Sequence, residues 1–147
     1  MMELVVVIAI LAVLGAVALP RVLDLSDNAR IASITALGDA VRGASNVVHA
    51  KCLVEPTCDE AAATSAVTID GLSLSTVHGY PDAGDAIAGG QIDQALVHSG
   101  YSVAIAGGNR HVFTKAGGPS AINCSVTYQE PTSAGEPPQV TVTTSGC

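Results

Sequence analysis

The chain has 147 residues, with six Lys or Arg against 13 Asp or Glu and a net charge of −7. That length holds one modest domain plus an appended helix. The acidic balance argues against nucleic acid as a main partner, because phosphate binding needs a basic stripe, and the few aromatics (no Trp, three Tyr, one Phe) leave little for bases or sugars to stack on.

Residues 4–19, LVVVIAILAVLGAVAL, form an unbroken run of sixteen apolar or glycine residues, and Glu3 stands immediately before it. As a helix the run covers roughly 24 Å, a little under the ~30 Å hydrocarbon core of a bilayer. It is hydrophobic all round and must be buried in lipid or against other apolar helices. An isolated carboxylate at its mouth is costly unless paired. Nothing nearby in the chain supplies a partner for Glu3, so a second copy of the protein is expected to do so. Two plainer readings compete. Ala16-Val17-Ala18 matches the small-x-small pattern of a cleaved secretory signal, but such a signal opens with Lys or Arg and this chain opens Met1-Met2-Glu3. A simple membrane anchor has no use for the leading glutamate.

Pro20 removes one helical hydrogen bond and clashes with the turn before it, which predicts a kink and not a stop. Helical periodicity then resumes. Val22, Leu25, Ala29, Ala32, Ala36, Ala40, Ala44 and Val47 recur at spacings of three or four, with Asp24, Arg30, Thr35, Asp39, Arg42 and Asn46 on the opposite face. Residues 1 to about 52 therefore read as one long bent helix, membrane-like first and amphipathic after. The alanines on the stripe allow a packed partner to approach closely, and the same stripe would also serve as the head-facing side of a core helix.

After Lys51 the pattern changes. Residues 52–66 read as a loop or short helix crossing over. Strand-like runs follow at residues 67–69, 72–74, 101–106, 111–114, 122–128 and 140–144, several of them alternating apolar and polar. A short helix is expected within residues 83–98. Gly107-Gly108-Asn109 reads as a hairpin turn, and residues 130–138 as a polar loop before the last strand. The expected fold is α+β: a long N-terminal helix packed against a small antiparallel sheet. Residues 1–26 form its hydrophobic half, and residues 27–147 a globular head that includes the amphipathic half.

Four cysteines, an even set behind a membrane-targeted N-terminus, favour disulfides in an oxidising compartment. They allow three pairings. Cys52–Cys58 and Cys124–Cys147 are favoured because each closes a local loop around irregular sequence. No paired-cysteine motif or histidine cluster points to a metal or to covalent haem. His49, His78, His98 and His111 are scattered and read as structural. Asp82, Asp85 and Asp93 form a loose acidic group where calcium is conceivable, but the spacing fits no EF-hand and a solvated loop is the simpler reading. Asn123-Cys124-Ser125 fits a glycosylation sequon but falls in an expected strand. No nucleophile elbow, phosphate loop or zinc-protease motif is present, so neither an enzyme nor a cofactor is expected.

The segment ELVVVIAILAVLGAVALPRVLDLSDNAR resembles the N-terminus of type IV pilins and of type II secretion pseudopilins, in which a glutamate leads the hydrophobic segment and a proline interrupts it at this spacing. Further on, ARIASITALGDAVRGASNVVHAK, AINCSVTYQEP and the terminal TTSGC are similar to the mannose-sensitive haemagglutinin type of pilin. The family's precursors carry a short basic leader and a mature start such as FTLIE, whereas here only two residues precede Glu3. The resemblance implies a structural subunit that waits in the inner membrane and is moved by an assembly machine into an extracellular filament of identical copies. It gives assembly roles to Met1 at the terminus, whose residue is N-methylated in the family, to Glu3, paired with the terminal amine of a neighbour, and to Pro20. The same resemblance leaves a pseudopilin as an alternative, and a monomeric membrane-anchored periplasmic binding domain is the reading from another class.

Overall fold

The structure is a computed structural model that describes residues 2–84, 91–116, 120 and 122–147, and the side chains of residues 19–24 are outside that description. One helix, α1 (Met2–Val54, 53 residues), makes up over a third of the chain. At 1.5 Å per residue it is about 80 Å long. It runs as one helix across position 20, so Pro20 does not stop it. Pro56, which has no N–H to continue the ladder, follows the helix closely. The last turn is closed by the Glu55 amide donating to the Lys51 carbonyl (3.1 Å) and by a Lys51–Glu55 ion pair (3.2 Å).

Seven short strands follow among the described residues. They form two antiparallel sheets, not the single one expected: β1 (Ser65–Ile69), β2 (Leu72–Val77) and β3 (Tyr80–Pro81) in one, and β4 (Tyr101–Ile105), β5 (Arg110–Lys115), β6 (Ser125–Gln129) and β7 (Gln139–Thr143) in the other, each in sequence order. Tight turns fix the registers. Ile69 pairs with Leu72 across Asp70-Gly71, and Val77 with Tyr80 across His78-Gly79, with positive φ at all four turn residues. Two such residues are what a two-residue hairpin of right-handed twist requires. The β4–β5 tip contains the glycine pair Gly107-Gly108, and the Ala106 amide donates to the Arg110 carbonyl at 2.8 Å. The helix expected within residues 83–98 reduces, among the described residues, to a 3-10 helix at Ile92–Ala95.

The head core forms where α1 crosses both sheets. Ile34, Leu37 and Val41 pack with Phe113, Val126, Tyr128, Cys124, Ala83 and Ile92, while Val48 and Cys52 pack with Val67 and Leu74 toward the C-terminal end of the helix. Burial of the large apolar side chains, each contributing about 1.5–3 kcal/mol, decides which helix face meets the head. That face is not the stripe read from the periodicity. Leu25, Ala29, Ala32, Ala36, Ala40 and Val47 are exposed, Ala44 of the same stripe is half-buried against the core, and the buried residues Ile34, Leu37, Val41, Ser45 and Val48 lie roughly 140° away from the exposed set around the axis.

Candidate functional site

The helix therefore carries two apolar faces, of which the head covers one. Through the first turns every large apolar side chain from Met2 to Val17 is 54–88% exposed. The alanine face, flanked by Leu25 (67% exposed) and Val47 (62%), is a further exposed apolar surface alongside the head. Single exposed apolar residues are ordinary, but a contiguous patch of this length marks a surface built to be covered. Alanines suit it to another helix, because small side chains let two backbones approach closely. Among the described residues no helix is long and apolar enough to cross a membrane.

Glu3 lies in the first turn of α1, where a carboxylate is favourable to the helix dipole, and has no ion-pair partner among the described residues. Met1 lies outside the described residues, and so does the Pro20 side chain.

The base of the head is tied to α1 by its own C-terminus. Cys124 is bonded to Cys147, and Arg30 donates to the backbone oxygen of Cys147 (3.2 Å) while pairing with Asp27 (3.4 Å). A second tie joins α1 to β4 and β5: the Tyr101 hydroxyl donates to the Ser33 carbonyl (3.0 Å), Lys115 donates to the Ser33 hydroxyl (3.1 Å), and the Lys115 ammonium lies 4.7 Å from the Tyr101 ring centroid. At the other end of the head Cys52 is bonded to Cys58, and His49 stacks on Tyr80 with ring centroids 4.0 Å apart. These contacts make the head a rigid carrier for the exposed helix face.

The remaining candidates separate on inspection. Among the described residues no group of three or more His, Cys, Asp or Glu is placed to hold a metal ion. Asp82 is buried, Asp93 stands near His111, and Asp85 lies outside the described residues. Asn123 is exposed on a turn and not in a strand, because β6 begins only at Ser125. A polar cluster joins the two sheets and brings Glu130 and Tyr128, which the sequence did not signal, to Asp82, Asp93 and His111. There the Glu130 carboxylate accepts from the Ala83 amide (2.8 Å), the Tyr128 hydroxyl donates to the Pro81 carbonyl (2.7 Å), and His111 is buried with its Nε2 3.9 Å from Asp93. Burial pushes the Glu130 carboxyl up to about 7, with the neighbouring Asp82 carboxyl adding to the rise. Burial lowers His111 against the opposing pull of Asp93.

A long N-terminal helix carrying an antiparallel β head, with one apolar helix face uncovered, is an α+β arrangement consistent with the pilin fold. Over 60 residues the chain is 40% identical to the type IV narrow pilus major component PilA5 of Thermus thermophilus, a match covering 41% of this chain and 52% of that protein. The match thus spans about half the length of that relative. No protein-family model matches the chain, and no solved structure does. Likeness and architecture together support a type IV pilin.

Proposed function

We propose that the chain is a structural subunit that polymerises into an extracellular type IV pilus through its N-terminal helix. One observation carries this reading. The apolar surface of residues 4–17 is exposed, and so is the face of Ala29, Ala32, Ala36, Ala40 and Val47, so the helix has an uncovered apolar side on both stretches. Stacking copies along a common axis covers that side, and a head-to-tail contact that does not close on itself generates a helical filament. Glu3 then pairs with the terminal amine of a neighbour, which neutralises two charges in an apolar bundle where either alone is costly. Before assembly the same apolar run rests in the inner membrane, from which an assembly machine draws it. The similarity to a pilus major component supports this reading.

Substitution on the uncovered face tests it. Ala36→Glu and Ala40→Glu alter exposed positions and leave the head core untouched. Both variants keep a folded head and lose surface filaments. Normal filament yield from the double variant contradicts the proposed packing.

A further inference from the structure

The two sheets of the head meet at a pair of carboxyl groups. Asp82 follows β3 directly, Glu130 follows β6 directly, and the two are 48 residues apart in sequence but adjacent in space. Asp82 is 2% exposed. Its Oδ1 accepts from the Gly84 amide at 2.6 Å, while its Oδ2 is buried without a donor among the described residues. One oxygen of Glu130 is held by the Ala83 amide at 2.8 Å. No Lys or Arg forms an ion pair with either carboxyl among the described residues. Two ionised carboxylates cannot share such a place without strong repulsion, whereas a single proton between them turns repulsion into a hydrogen bond.

We propose that Asp82 and Glu130 form a proton-held latch between the two sheets: a shared proton fastens the β3 exit to the β6 exit, and its loss frees that junction while each sheet and the helix stay folded. The surrounding geometry suits a latch. Gly84 packs so closely on the β4–β5 tip that a Cβ there would lie 2.5 Å from the Gly108 carbonyl, and the Glu130 amide donates to the Asn109 carbonyl at 3.3 Å. The carboxyl pair thus clamps three segments: the β3 exit, the β6 exit and the hairpin tip. The ionisable groups facing it are His111 on β5 and Tyr128 on β6; Asp93 on the 3-10 helix and His98 act on His111, and Tyr80 on Tyr128, through space. Burial lowers the His111 imidazole against the pull of Asp93 and Asp82, which disfavours a positive charge there to replace the proton. Tyr128, its phenol raised by burial, stays neutral and keeps its bond to Pro81 on both sides of the transition.

Hydrogen exchange on the full chain in detergent, corrected for the intrinsic pH dependence of exchange, reads the latch directly. Between about pH 5.5 and about pH 8.5 the protection of the Ala83 and Gly84 amides falls at least about tenfold, one pH unit of proton linkage, while the β5 and β6 ladder amides hold theirs. Glu130→Gln, whose amide donates to Asp82 without ionising, keeps that protection level across the range. Asp82→Asn does the same from the other side and serves if the first variant fails to fold. Wild-type protection that is level with pH overturns the latch. So does an undiminished fall in a folded Glu130→Gln or Asp82→Asn.

Discussion

A Cβ placed on Gly38 of α1 would lie 2.5 Å from Cγ2 of Val142 on β7. The glycine is what lets the last strand sit directly on the helix, and Val142 has no long side chain to swing away. Gly38→Ala removes a helix-weakening residue, a gain of about 1 kcal/mol in an unstrained helix. Overpacking against β7 costs typically 1–3 kcal/mol, so the net change is destabilising. Thermal unfolding of Gly38→Ala shows a lower midpoint, and adding Val142→Ala restores much of it. Additive losses in the pair place the strain elsewhere.

The core begins at Ile34, and the large apolar side chains up to Val17 touch none of it. Deleting residues 1–26 therefore gives a soluble, folded, monomeric head. Sedimentation and circular dichroism check this, and a truncated chain that aggregates or lacks fixed structure contradicts the division at that point.

Two groups in the head give stability opposite slopes with pH. The folded chain holds a proton on Glu130 up to about 7 where an unperturbed glutamate releases it near 4.5. Its contribution is full below the lower value and drains away as pH rises through the higher one. His111, lowered by burial from 6.5, behaves in reverse: its contribution is present above that value and is lost as pH falls. Glu130→Gln should thus be more stable than wild type at about pH 8, by on the order of 1 kcal/mol once solvent screening of this half-buried group is allowed for, and equal to it at about pH 4. Denaturant unfolding at both pH values measures the difference; a constant offset across pH contradicts the assignment.

Cys124–Cys147 closes a loop of 23 residues that contains β7, and Arg30 anchors its end. Cys147→Ser removes the closure, costs on the order of 3 kcal/mol and frees β7 to fray from β6. Reversible unfolding under oxidising conditions gives the loss, and faster exchange of the β7 amides locates it. An unchanged midpoint shows that Arg30 and the Gly38–Val142 contact hold the strand unaided.

The sequence carried the architecture because its strongest signals are local: sixteen apolar residues behind Glu3, then alternating strands punctuated by glycine turns. It misdirected the helix orientation for a reason of volume. Two stripes share the 3.6 period, one of alanines and one of Ile34, Leu37, Val41 and Val48, and the bulkier one gains more from burial against the head. The alanine stripe was legible as a surface for close packing; that it faces away from the head was not. β3 escaped notice because it is two residues long, and because its turn puts His78, not Asn or Asp, at positive φ. The Asp82–Glu130 junction left no trace at all, since no motif links residues 48 apart on different sheets. The strand expected over Asn123 failed on a simple point: Ile122 and Asn123 turn the chain into β6.

Cryo-electron microscopy of filaments sheared from cells expressing this chain tests the central claim most directly. The account predicts long fibres with the helices bundled along the axis, residues 4–17 and the face from Ala29 to Val47 buried against neighbouring copies, and the β heads outside. Short or absent fibres, monomers that persist in detergent, or fibres joined by their heads with the alanine face still open to solvent would contradict it.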